Sequence, residues 1–128
     1  TGLREIIHKH SGSVCTVGRL ETIPSSINTA PGEVFFTVDI RHPDDATLEG
    51  IHDQLLVLVD SVCRQEGLSV NFDNTWKTPA VNFHEDCIAK VQRAAQDLGF
   101  SHRDIVSGTG RGAWHVTHIS PTEMISIP

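Results

Sequence analysis

The sequence predicts an α+β fold: an antiparallel sheet with two helices packed on one face, followed by a short returning segment. Three observations carry this. Residues 34 to 41 and 68 to 76 alternate apolar and polar side chains, the period of a half-buried strand. Residues 45 to 66 and 84 to 98 repeat apolar side chains at steps of 3 and 4, the stripe of an amphipathic helix. Their order is helix tail, strand, strand, helix, strand, second helix, a βαββαβ-like unit whose first strand is missing.

The elements follow in order. Leu3, Ile6, Ile7 and His10 share a helical face that Gly12 stops. A helix already running at residue 1 points to a longer parent chain. Val14 to Leu20 reads as a strand, and Pro24, Ser25, Ser26, Asn28, Pro31 and Gly32 make the next stretch a turn-rich loop. In the strand from Val34 to Arg41, Val34, Phe36, Val38 and Ile40 line a covered face. Phe35, Thr37, Asp39 and Arg41 line the other. Pro43, Asp44 and Asp45 open a helix, since an acidic residue there satisfies free N–H groups and the positive end of the dipole. Leu48, Ile51, Leu55, Leu58 and Val62 form its stripe, and Gly67 ends it. Leu68, Val70 and Phe72 alternate with Ser69, Asn71 and Asp73 as a further strand. Ile88, Val91, Ala94, Ala95 and Leu98 give the second helix its apolar face up to Gly99. A Gly-rich turn, a short helix near residues 112 to 119 and a strand from Met124 to Ile127 complete the chain.

Composition sets limits. With 128 residues the chain has the length of one domain, and 38% hydrophobic with 20% charged residues fits a globular protein. A net charge of −6, with the ten Lys and Arg scattered, excludes nucleic acid as the main partner. No run of 18 apolar residues exists, so no membrane span is predicted. The charged, amphipathic N-terminus is unlike a signal peptide. Cys15, Cys63 and Cys87 are odd in number and lie in apolar-patterned segments, so they read as small buried hydrophobes in a reducing compartment, the cytoplasm.

Several chemistries are absent. His8 and His10, and His115 and His118, are the nearest to metal-ligand spacing among the eight histidines. No cysteine pairs with them and no HExxH occurs, so no metal is assigned to this chain. Ser107-Gly108-Thr109-Gly110-Arg111-Gly112 matches neither phosphate-binding pattern and reads as a tight turn. No serine sits in GxSxG, and no cysteine lies in a nucleophile motif, so no catalytic residue is assigned. Asn28 and Arg41 remain. A guanidinium at a strand end can grip a carboxylate on both oxygens, and an amide can donate to an oxyanion. On the residues alone a second reading stands beside this one: Asn28 caps the loop, and Arg41 pairs with Asp39 or Asp44.

Three runs, TVGRLE from Thr16, SINTAPG from Ser26 and FTVDIRHPDD from Phe36, resemble one known family. It is the lid, or dimerisation, domain of zinc-dependent amidohydrolases related to aminoacylase and carboxypeptidase. The branch is that of N-carbamoyl-L-amino-acid hydrolases, β-ureidopropionase and allantoate amidohydrolase. The likeness continues through Trp76, Phe83 and the helix to Gly99. It resumes at VSGTGRGAWHVTHISPTEMISIP, similar to the re-entry into that family's catalytic domain. It implies a lid-like part over residues 1 to 104 and a partial catalytic-domain segment over 105 to 128.

The resemblance implies that Asn28 and Arg41, which match the family's lid Asn and Arg in type and spacing, bind substrate. Arg41 would hold its carboxylate, and lid residues would reach the site of a neighbouring subunit. It also implies zinc in a complete family member, a ureido-acid or carboxylate substrate, and a homodimer. One departure is plain: the family's SGAGHDA reads SGTGRGA here, so Arg111 and Gly112 replace a His-Asp pair. Arg does not act as acid or base at neutral pH. The zinc ligands and catalytic glutamate of the family lie mostly upstream of this stretch. The expectation is thus a fragment or degenerate remnant of a ureido-acid amidohydrolase, inactive alone. The alternative is a non-catalytic homodimerisation or interaction module. A third reading, an independent small-molecule-binding domain, rests only on the loop from 22 to 33.

Overall fold

The computed structural model describes residues 2–108 and 111–127. It is α+β, with one antiparallel sheet among the described residues. The chain divides into two compact units, 1–78 and 79–128.

The first unit holds α1 (Gly2–Lys9), β1 (Val14–Ile23), β2 (Glu33–Arg41) and α2 (Asp45–Glu66). Its core is Ile6 of α1 with Ile51 and Leu55 of α2, Ile51 being wholly enclosed at 0% exposure. Removing each such side chain from water contributes about 2 kcal/mol. Gly2 allows α1 to lie close to α2: a Cβ there would sit 2.8 Å from the Leu58 methyls. At the other end of α1, the Gln54 amide lies 3.1 Å from His10 Nε2 and also donates to the Gly50 carbonyl at 3.1 Å.

The ends of α2 follow from the sequence. Asp44 accepts from the Thr47 N–H at 2.7 Å and from its hydroxyl at 2.6 Å, which satisfies a free donor of the first turn. Gly67 takes a left-handed φ of 66°, and Leu68 N–H then closes back on the Cys63 carbonyl at 2.8 Å.

β1 and β2 form a two-stranded ribbon, with Val14 opposite Arg41 and Ile23 opposite Glu33. Its register shifts between Val17 and Leu20, where Gly18 and Arg19 together oppose Thr37. The Arg19 N–H donates to Thr37 Oγ1 at 3.0 Å across this bulge. The bulge rephases β1. Opposed residues share a face, so Cys15, Val17 and Leu20 join Ile40, Val38 and Phe36, although strict alternation would send Leu20 to the other side. The expected covering of that face holds only at one end. Val38 and Ile40 are half-buried, whereas Val34 and Phe36 are exposed.

The segment from Leu68 to Trp76 runs without ladder pairing, against the expectation of a strand. Alternation records which side of an extended chain is apolar. A strand also needs a second backbone in register, and none of the described residues supplies one. The same holds for Met124 to Ile127.

The second unit holds α3 (Glu85–Asp97) and α4 (Arg111–Thr117). Gly99, at φ 74°, ends α3, and Phe100 N–H returns to the Ala95 carbonyl at 2.8 Å. The His84 N–H donates to the Thr122 carbonyl at 3.0 Å and ties the start of α3 to the chain after α4. Of the Gly-rich turn, Thr109 and Gly110 lie outside the described residues.

Candidate functional site

Arg41 is the last residue of β2, on the face it shares with Thr37 and Asp39. Residues two apart on a strand point the same way, and Asp39 meets the guanidinium as a fork. Arg41 Nε donates to both Asp39 oxygens, at 3.0 and 3.2 Å, and Nη2 donates to Oδ2 at 2.5 Å. Both side chains are about half exposed, 42% for Arg41 and 51% for Asp39. These hydrogen bonds, and then the charge of Asp39, push the Arg41 guanidinium further above its ordinary value, so it stays cationic.

The backbone just beyond Arg41 is held by His42. Its Nδ1 accepts from the Asp44 N–H at 3.0 Å, and its Nε2 lies 3.2 Å from the Ser11 carbonyl. With Nδ1 accepting, the proton belongs on Nε2, which then donates to Ser11. The ring thus bridges the turn after α1 and the cap of α2. Nothing in the sequence singled out His42, although its place between Arg41 and the helix cap was the available signal.

Asn28 lies in the loop after β1, where its Oδ1 accepts from the Ser26 hydroxyl at 2.8 Å. The loop closes by a bond of 2.8 Å from Gly32 N–H to the Ile23 carbonyl. Asn28 and Arg41 are therefore not brought together. The loop joins the ribbon at the Ile23–Glu33 end, and Arg41 lies at the Val14 end. The eight steps from Glu33 to Arg41, at about 3.3 Å each, put them roughly 26 Å apart.

The histidines have local partners. His8 Nε2 accepts from Arg4 Nε at 3.2 Å, and His52 meets the Phe72 ring edge-on at 5.6 Å. His115 and His118 flank the Trp114 indole at 4.8 and 4.5 Å. Among the described residues, no three His, Cys, Asp or Glu side chains converge as a metal would require. The three cysteines are free and half-buried, less enclosed than the sequence predicted. Burial, and then the charge of Asp39, push the Cys15 thiol up.

The second unit has a hollow of about 170 Å³ lined by Asn82, His84, Thr117, Ser120, Pro121 and Thr122. Its hydroxyls are spent on nearby carbonyls: Thr117 donates to Trp114 and Thr122 to Ser120, at 2.7 and 2.9 Å. A binding pocket for a small organic molecule ordinarily exceeds about 300 Å³.

An α+β unit that presents a strand-end arginine fits a binding part rather than a self-contained catalytic centre. Comparison with known proteins gives the class. N-carbamoyl-L-amino-acid amidohydrolase of Rhizobium meliloti is 36% identical over 117 residues, 91% of this chain and 28% of the relative. Allantoate amidohydrolase of Bacillus subtilis is 31% identical over 113 residues, 88% of this chain and 27% of the relative. A hydantoinase/carbamoylase-family amidase of Burkholderia vietnamiensis has 38% identity and a TM-score of 0.85, over 93% of this chain and 29% of that one. No protein-family model matches the chain. This chain is homologous to a segment of the N-carbamoyl-L-amino-acid and allantoate amidohydrolases. It spans just over a quarter of the length of these relatives. No helix among the described residues is long and apolar enough to cross a membrane.

Proposed function

We propose that this chain is the substrate-carboxylate-binding and subunit-pairing part of an amidohydrolase that cleaves the C–N bond of N-carbamoyl amino acids or related ureido acids. The observation that carries the reading is Arg41. It ends a paired strand, its backbone is fixed by His42 and the Asp44 cap, and it lies within the segment matched by the amidohydrolases. A guanidinium so held offers a planar two-point grip to a carboxylate.

Asn28 joins as the second binding group, donating its amide to the ureido carbonyl. At the far end of the ribbon, it serves the site of a second chain rather than that of its own Arg41. Pairing of two chains brings the Asn28 of one to the Arg41 of the other.

The residues present do not fit a metal centre. The resemblance implies zinc in a complete family member, so bond cleavage is not assigned to any side chain of this chain. The parts played here are binding, orientation and pairing.

Calorimetric or NMR titration with N-carbamoylglycine tests the reading. Binding by the parent chain that Arg41→Ala abolishes is expected. Equal binding by both would overturn it.

A second reading, a non-catalytic homodimerisation module, is favoured by the exposed apolar side chains Leu20, Val34 and Phe36 on one face of the ribbon. There Arg41 and Asp39 would be a surface ion pair only.

A further inference from the structure

We propose that Asp39 is a positioning residue for Arg41: its carboxylate fixes the plane of the guanidinium that receives a substrate carboxylate. The inference rests on the anchor reading above and gives a task to a side chain which that reading leaves idle.

Three features of the pair carry it. Asp39 and Arg41 lie two apart on one face of β2, and both backbones are held in register, opposite Thr16 and Val14. The chain leaving Arg41 is held as well, through the His42 bridge and the Asp44 cap. What freedom remains lies in the long arginine side chain. Asp39 removes it by engaging two different nitrogens, Nε and Nη2. One contact would leave the guanidinium free to rotate about it, whereas two define its plane.

Orientation matters because a guanidinium matches a carboxylate at two points only when their planes agree. A wandering arginine must be ordered by the ligand itself, which costs side-chain entropy at the moment of binding. Asp39 also opposes an incoming carboxylate by charge. Both groups are half exposed, so water and salt screen that repulsion, while the loss of a fixed plane is not screened. The net effect of Asp39 is therefore to tighten binding. A pair this exposed adds little to fold stability, which separates its effect on the ligand from any effect on folding.

The test compares the parent with Asp39→Asn, Asp39→Glu and Arg41→Ala, each as the full chain. Three readouts are taken: thermal melting, the Arg41 Nε–H signal in proton–nitrogen NMR, and titration with N-carbamoylglycine. Asp39→Asn is expected to melt with the parent, to broaden or lose the Nε–H signal, and to bind severalfold more weakly. Asp39→Glu, which keeps the charge on a longer stem, is expected to recover part of both signals. Asp39→Asn binding as tightly as the parent, or more tightly, overturns the proposal. If Arg41→Ala binds like the parent, the anchor reading is what fails. The Nε–H signal then decides for Asp39, and an unchanged signal in Asp39→Asn overturns its hold on Arg41.

Discussion

Asn28 and Arg41 stand at opposite ends of one β-ribbon, roughly 26 Å apart at about 3.3 Å per residue along β2. A ureido acid is only a few bonds long and cannot touch both within one chain.

The first prediction concerns subunit complementation. A mixture of Asn28→Ala and Arg41→Ala chains contains mixed pairs in which one site keeps both native groups. Titration with N-carbamoylglycine should recover binding in the mixture that neither variant has alone. Failure to recover it, in pairs shown to have exchanged, would separate Asn28 from the site of Arg41.

Asp44 gives a pH dependence. Hydrogen bonds from the Thr47 hydroxyl, and then from its N–H, hold the Asp44 carboxyl below its ordinary value of 3.8. A carboxyl whose folded value is depressed stabilises the fold above its unfolded value, and that stability is lost as pH falls through the folded one. Asp44→Ala should therefore melt lower than the parent at neutral pH. The gap should begin to close near the ordinary value and vanish below it. A gap independent of pH would show that the cap works without its charge.

The core prediction concerns Ile51, which is wholly enclosed between α1 and α2. Ile51→Ala removes apolar contact and leaves a cavity, at a cost of about 3 kcal/mol. Urea unfolding followed by circular dichroism checks this. A loss below about 1 kcal/mol would mean that α1 closes over the gap.

Cys15 should react slowly. Its thiol is half-buried and held protonated by burial and by the charge of Asp39. Alkylation of Cys15 by iodoacetamide at pH near 8, followed by mass spectrometry, should lag behind that of free cysteine. Asp39→Asn removes the second of the two causes and should quicken it modestly. A rate equal to that of free cysteine would place the thiol in open solvent.

What the sequence showed of the fold was its local chemistry. Asp44 and Gly67 bound α2 and Gly99 ends α3 because caps are written within a few residues of where they act. The pairing of strands was not visible, because it depends on residues far apart in the chain. The alternation at Leu68 to Trp76 was read as a strand, yet no partner backbone lies beside it among the described residues. The bulge at Gly18 and Arg19 was missed for the same reason. In the candidate site, both Asp39 and Asp44 were seen as possible partners of Arg41. The structure gives Asp39 to the arginine and Asp44 to the helix cap. The distance between Asn28 and Arg41 required the register, which thirteen residues of sequence spacing did not reveal.

The bulge also sets what kinds of genetic change this hairpin can absorb. Two residues of β1 there answer one of β2, and the surplus keeps Leu20 on the side of Phe36. Exchanging Arg19 for another residue leaves that count intact. Deleting it makes the count equal and turns every later side chain of β1 over, moving Leu20 and Thr22 to the opposite side. A codon lost at this point would therefore do more harm than nearly any codon altered there, and length at Gly18 and Arg19 should be more tightly kept than residue identity.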